Sequence, residues 1–524
     1  MWTRGVPRSI MAVSASPSRA FVRLGVDDAI DTDVVWLKRL RAFPQELLDQ
    51  IYGMCHESCL WRYFSALGRF PLMEPLLDRD REATLLSLGE LGSWNRWDGM
   101  TTSPSKASEL LVRLCLDELG VVSVERVSAD DDDTASPQHG GTGYIVERVD
   151  TMKGYTCAVK GPFMRLIPSD GSAPLNTRIK IWDSPHPPPA QHITWFSERF
   201  STPRVRCVSL HGLRGLTVFC SQGAVYAIHP HYTWGISAAP APSQANLHPS
   251  ERKKLTALFL PLSDNESIAE VWVRDCTCAA TSVCRKTTHN EALAIITSTG
   301  RFQLFGRYIS PRSAVGNPHR GLRWKQIGDA TTTHLLYTDT RFQSSPPRAD
   351  LGAASAMGQA QGSWKKKQQQ QQPSTTPLPP AALVKCRGWA IAAHFGYMSV
   401  ASLRGVNQLK LLHMRASTTP YVQNNNRPCR GMVLGYEDGS LAALGDCSEE
   451  RGTGDVEGDI YHDPLALYHR IDKAGGYEVV RSWSLTDSKE PDLDYEYEWD
   501  EIPMEGELYW WFDDHRTLYI RHQP

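Results

Sequence analysis

Two hydrophobic periods follow one another along this chain. From Asp31 to about Leu119 large apolar residues recur at helical intervals. "VVWLKRLRAF", "PQELLDQIYGMC", "LWRYFSALGR", "REATLLSLGEL" and "KASELLVRLCLDEL" succeed one another with short breaks at Pro, Gly and Ser. The pattern predicts a helical domain over 31–125. The segment "SADDDDTASPQHGGTG" comes next. Its four consecutive aspartates repel one another and stay in water, which predicts an acidic, Gly-containing linker over 126–143. From Tyr144 the period shortens to two, in short runs of Val, Ile, Tyr, Phe and Trp between turn residues, and predicts strands from there to 524.

Within the β-type region the chain repeats itself. "LTVFCSQGAVYAIHP" (216–230), "LAIITSTGRFQLFGR" (293–307) and "MVLGYEDGSLAALGD" (432–446) each alternate, reach a glycine at the eighth position, and alternate again. Gly223, Gly300 and Gly439 supply the positive φ that a tight connection requires, so each copy predicts a hairpin. Three looser copies turn at Gly396, at Gly161 and at Arg516, and further strands are expected at "RVRCVSL" (204–210) and "SIAEVWVR" (267–274). About six such units suggest the blades of a propeller-like domain, with a large β-sandwich as the alternative. The fold class expected is therefore α+β multidomain: a small helical N-terminal domain followed by a mainly β region.

Composition changes this picture in a few places. The chain has 524 residues, too many for one ordinary core, and its 41% hydrophobic content with 16 tryptophans is that of a folded protein. A formal net charge of −2 argues against nucleic acid as a partner. The apolar runs are broken by Gly, Ser and Gln, so no bilayer span is expected. Twelve scattered cysteines without a repeated spacing favour free thiols in a reducing compartment, cytoplasmic or nuclear. Residues 1–30 read as a disordered leader; Arg4, Arg8, Arg19 and Arg23, with no acid before Asp27, also suit a mitochondrial transit peptide. Residues 344–383, with a glutamine tract and a Pro-rich end, read as a disordered insertion.

Candidate chemistry is sparse. Cys276, Cys278, Cys284 and His289 fall within fourteen residues and offer thiolates and an imidazole to zinc, but the spacing lacks paired CxxC knuckles, and loop cysteines are the reading adopted. His229 and His231 form an H-x-H pair that a strand would turn to one side. Pro230 between them limits that strand, so structural or exposed histidines are expected. The segment 495–514 mixes acids with aromatics, and Trp510, Trp511 and Phe512 are expected in a closing strand of the β region rather than on a stacking surface. Phosphate-loop, dinucleotide, H-E-x-x-H and nucleophile-elbow motifs are lacking, so neither an enzyme nor a cofactor is expected.

The helical stretch carries one more specific signal. In "FPQELLDQIYGMC", Pro44 suits a first helical position, and Leu47, Leu48 and Ile51 share one face opposite Asp49 and Gln50. This stretch resembles the opening of the F-box, L-P-x-E-[LI]-[LI]-x-x-I, with Phe43 in place of the Leu and Leu60 where the second helix begins. The whole arrangement looks like that of fungal F-box proteins with a large β-rich C-terminal region. The resemblance implies that Phe43, Pro44, Leu47, Leu48, Ile51 and Leu60 dock onto a Skp-type adaptor of a cullin-RING ubiquitin ligase. It further implies that the β region presents a target protein to that SCF-type ligase, without bond chemistry of its own. The alternatives are a propeller scaffold or lectin-like binding protein and, beyond that, a propeller hydrolase.

Overall fold

The computed structural model describes the chain from Thr84 to Pro524, apart from 89–90, 97–110, 118–119, 129–142, 153–154, 161–162, 169–178, 197–203, 222, 234–237, 239–254, 277–291, 309–321, 339–348, 357–395, 414–428, 448–459, 472–477, 485–498 and 513–517. The chain divides into two compact units, Met1–Pro187 and Pro188–Pro524. The division falls in the triple proline 187–189, where three residues without N–H groups cannot sustain a ladder. The expected boundary at 126–143 thus lies inside the first unit.

The described part of the first unit is built of strands. These are β1 (Thr84–Ser87), β2 (Trp94–Asn95), β3 (Leu111–Asp117), β4 (Gly120–Val127), β5 (Gly143–Arg148), β6 (Tyr155–Lys160), β7 (Phe163–Pro168) and β8 (Ile181–Trp182), with one helical turn at Val149–Met152. They pair in the orders β1-β6-β7 and β2-β4-β3-β5-β8. The helical expectation is therefore corrected for the described residues between Thr84 and Val127, which form strands; residues 31–83 and 97–110 lie outside the described residues. "LVRLCLD" alternates strictly, with Val112, Leu114 and Leu116 buried and the residues between them half-buried. Its leucines satisfy a period of two as well as a period near four, and long-range pairing decides between them. Arg113 bridges to Glu125 across β3 and β4 at 2.7 Å, and Arg96 grips Asp117 with two hydrogen bonds of 2.5 and 2.8 Å. Val112, Leu114, Val124 and Ile145 form the middle of this unit's core.

The second unit contains β9 (Ile193–Trp195), β10 (Arg204–Ser209), β11 (Gly215–Ser221), β12 (Ala224–His231), β13 (Leu255–Pro261), β14 (Ile268–Cys276), β15 (Ala292–Thr297), β16 (Phe302–Phe305), β17 (Leu322–Gly328), β18 (Thr332–Thr338) and β19 (Leu351–Ser355). It continues with β20 (Tyr397–Ser402), β21 (Val406–His413), β22 (Cys429–Tyr436), β23 (Leu441–Gly445), β24 (Ile460–His462), β25 (Pro464–Ile471), β26 (Glu478–Ser484), β27 (Asp500–Pro503), β28 (Glu507–Phe512) and β29 (Leu518–Gln523). Two sets appear among these strands. In the first, β10-β18-β19-β9 brackets the sheets β12-β11-β13 and β16-β15-β14-β17; in the second, β20-β28-β29 brackets β23-β22-β21-β24 and β26-β25-β27. One apolar core receives alternate residues from all of them, including Val218, Val271, Leu335, Leu434, Leu467 and Trp510.

The glycine hairpins are present as expected. β11–β12, β15–β16 and β22–β23 turn at Gly223, Gly300 and Gly439, with φ of 82°, 83° and 78°. The looser copies give β6–β7 and β28–β29, whose turn residues lie outside the described residues. Gly396 stands just before β20, which pairs with β28; the arm expected before it, 389–395, lies outside the described residues. The disordered insertion expected over 344–383 needs correction too. Leu351–Ser355 inside it is a wholly buried strand between β18 and β9. Its small residues look like low complexity, yet size is what the site demands. A Cβ on Gly352 would stand 2.7 Å from the Trp195 ring. Residues 357–383 lie outside the described residues.

Candidate functional site

Of the residues singled out from the sequence, Phe43, Pro44, Leu47, Leu48, Ile51 and Leu60 lie outside the described residues, as do Cys278, Cys284 and His289. Cys276 is the last residue of β14, opposite Leu322. Among the described residues no group of three or more His, Cys, Asp or Glu side chains is placed to hold a metal ion.

The described residues do bring aromatic side chains together. On the face of β14–β17 turned away from the common core, Trp272 lies opposite Ala294 and Trp324 opposite Arg274. Ala292 and Ala294 on β15 are short, so the larger rings beside them meet little obstruction. The next sheet continues the face, since Tyr308 N donates to Gly396 O at 2.8 Å. There Met398 sits opposite Trp511 and Val400 opposite Tyr509. The result is one cluster with Ala292, Ala294, Leu304, Tyr308, Met398 and Tyr509 buried beneath, and Trp272, Phe302, Trp324, Val400 and Trp511 half-exposed above. Tyr509 and Trp511 stack at 5.8 Å with planes 19° apart.

Polar groups fix this face. Trp272 Nε1 donates to Glu270 at 2.7 Å, and the Tyr509 hydroxyl donates to Glu507 at 2.5 Å. Burial and then Glu507 push the Tyr509 phenol up, so it stays a donor. Arg274 is buried, lies over Trp324 at 5.5 Å and donates to the Arg307 carbonyl. Burial pulls its guanidinium down to about 9, still cationic at neutral pH. Trp510, Trp511 and Phe512 lie on a strand, β28, as expected; Trp510 and Phe512 enter the core, whereas Trp511 joins the outer cluster and stacks on Tyr509.

Two ion pairs, one half-buried and one buried, tie sheets together. Glu266, in the loop before β14, accepts from Arg301 through both oxygens, from Thr299 Oγ1 at 2.7 Å and from Ser263 N at 3.1 Å. Arg301 also donates to the carbonyls of Leu441 and Pro261, at 2.7 and 2.6 Å, so one guanidinium joins the ends of β13, β16 and β23. Burial tends to raise the Glu266 carboxyl, but the hydrogen bonds of Arg301, Thr297 and Thr299 and the Arg301 charge outweigh it and hold it at about 2. A carboxylate so fixed is no proton donor at neutral pH. Arg430 and Asp446, both buried, pair at 3.1 Å, and Asp446 also accepts from Ala257 N at 3.1 Å. Sequence spacing carries no trace of either pair, since 35 and 16 residues separate the partners.

His229 and His231 lie on β12, which runs through Pro230 instead of stopping before it. His231 O accepts from Arg214 N at 2.7 Å, so the residues flanking Pro230 face the ladder and the imide nitrogen points away from it. This corrects the expectation that Pro230 limits the strand. His229 is exposed and His231 half-buried. Thr217 Oγ1 meets His231 Nε2 at 2.8 Å, and the Phe259 ring meets His231 edge-on at 5.1 Å. Burial, then the neighbouring His229, brings His231 down to about 4.

No protein-family model matches the chain, and no curated protein is similar to it.

Proposed function

We propose that the chain is a non-catalytic recruiting protein, the target-binding subunit of an SCF-type ubiquitin ligase. The single observation that carries this reading is the run Phe43-Pro44-x-Glu46-Leu47-Leu48-x-x-Ile51, which resembles the F-box opening residue by residue. Buried against a Skp-type adaptor, each Leu or Ile contributes roughly 1.5–3 kcal/mol, so three such anchors with Phe43 suffice for a stable interface. The half-exposed rings of Trp272, Phe302, Trp324 and Trp511 support the other half of the reading, because aromatic side chains dominate protein-binding surfaces. We read the sheets of the second unit as propeller-like, modified by the two bracketing sheets, and place the protein in the cytoplasm or nucleus.

The test is co-purification of the full chain with Skp and cullin subunits. Leu47→Asp with Leu48→Asp abolishes it while the β-rich units keep their near-ultraviolet dichroism; unchanged co-purification refutes the ligase role. A second reading, a scaffold or lectin-like binding protein without that role, is favoured by the stacked Tyr509–Trp511 pair. It predicts target or glycan binding through the aromatic face in the absence of any Skp-type partner.

A further inference from the structure

The histidine pair on β12 has no part in the recruiting function. Its geometry nevertheless matches a known chemical need. Ring centroids of His229 and His231 are 5.2 Å apart, with planes crossing at 78°. A metal about 2.0–2.1 Å from an imidazole nitrogen lies roughly 3.2 Å from the ring centroid; two rings sharing it at about 90–110° then have centroids roughly 4.5–5.2 Å apart. We propose that His229 and His231 form a two-point chelate for a divalent transition-metal ion of the copper and zinc class, its remaining positions open to water.

Four features of the strand support the assignment. A period of two puts residues 229 and 231 on the same side of β12, and both face the ladder, opposite Thr217 and Gly215. The backbone bond from Arg214 to His231 anchors that end of the strand. Thr217 and Phe259 hold the His231 ring from one side, as groups behind a metal ligand commonly do, and Thr217 leaves the second ring nitrogen for a metal. His229 is exposed, so an ion arrives without any opening of the fold. Imidazoles without carboxylates select against calcium and magnesium, which take oxygen ligands, and Cu2+ binds such a pair most tightly. Among the described residues no third His, Cys, Asp or Glu is placed with them to hold a metal ion.

The experiment uses the full chain, stripped of metal and titrated with Cu2+ against glycine as competitor, with paramagnetic resonance reading the number of bound nitrogens. Other histidines and cysteines bind copper too, so the readout is the difference between variants. The wild-type chain shows one equivalent with two equivalent imidazole nitrogens. His229→Ala weakens that equivalent at least tenfold and leaves one nitrogen; His231→Ala does the same, and the double variant is little worse than either. Retention of the two-nitrogen equivalent in the double variant, or a loss within twofold in each single one, overturns the chelate. If His231→Ala perturbs the fold, His229→Ala alone decides, since the His229 side chain is exposed. Thr217→Val removes no ligand and is expected to weaken binding by only a few-fold.

Discussion

Strand β28 shows two faces of one architecture within six residues. Trp510 and Phe512 point into the common core, where Trp510 is fully buried and Phe512 stacks on Tyr397 at 5.2 Å. Tyr509 and Trp511, one position along, belong to the outer cluster, and Trp511 stays half-exposed. The side chains are alike in size and apolarity, so composition does not separate their roles. Parity does. The inner face closes a core contributed by every sheet of the second unit, whereas the outer face ends in rings that nothing in the described residues covers completely. The inner set is expected to govern stability and the outer set recognition.

The sharpest way to break that contrast is to truncate both faces. Trp510→Ala opens a large cavity in the core and is expected to lower unfolding free energy by about 3–5 kcal/mol. Trp511→Ala removes a ring still touching water and is expected to cost under about 1 kcal/mol. Denaturant midpoints of the two variants measure the difference, and equal losses would mean that the outer face is merely a second core.

Glu266 tests whether a buried charge belongs with the inner set. Its carboxyl is held at about 2 in the folded chain against an ordinary value of 4.5. A depressed carboxyl contributes stability that is complete above its unfolded value and vanishes as pH falls through the folded one. The contribution is therefore present at pH 5 and above, and lost between about pH 4.5 and 2. Glu266→Gln leaves Arg301 facing a neutral amide and is expected to cost about 3 kcal/mol at pH 7, with the loss fading towards pH 2. Chemical denaturation across that range checks it; a pH-independent loss assigns the effect to packing instead.

Two hairpin turns refine the same distinction at lower energy. Gly223 and Gly300 share a φ near 82°, but an added Cβ at Gly223 meets Arg307 at 2.6–2.8 Å, while at Gly300 it meets nothing within 4 Å. Gly300→Ala carries backbone strain alone, about 1 kcal/mol. Gly223→Ala adds displacement of Arg307, and its Tyr397 hydrogen bond (2.9 Å) lies in the same crowded junction, so about 2 kcal/mol is expected. Thermal unfolding of the pair measures the gap, and equal losses would show that Arg307 yields freely.

The same glycines explain how much was legible beforehand. A hairpin is written locally, as alternation interrupted by a residue that tolerates positive φ, and β11–β12, β15–β16 and β22–β23 are all readable in that way. β3 and β4 are not. "LVRLCLD" offers an acceptable helical stripe, and its strand state rests on partners as remote as Arg148 and Glu125. Leu351–Ser355 is hidden for a different reason: alanine, glycine and serine signal low complexity in sequence, but here the strand is wholly buried and Gly352 answers to the Trp195 ring. The pairing of β20 with β28, and of β10 with β18, spans whole intervening sheets and has no local signature. The aromatic face was half visible. Its tryptophans are plain in "YWWF", but the contribution of Trp272 and Trp324 depends on β14–β17 lying next to β20.

The smallest stability effects are expected where recognition matters most. Trp272→Ala and Trp511→Ala should each shift unfolding by less than about 1 kcal/mol, because both rings are half-exposed and Ala294 and Met398 keep their own neighbours. In a protein interface, loss of a central aromatic anchor typically costs 2 kcal/mol or more, roughly thirtyfold in affinity. Proximity labelling in cells, comparing the wild-type chain with each variant, should therefore show loss of target proteins with Skp-type subunits retained. The Leu47→Asp, Leu48→Asp chain should show the reverse, targets kept and ligase subunits lost. A variant of the aromatic face that keeps every target would strip that face of its role, however cleanly Trp510 and Trp511 separate in stability.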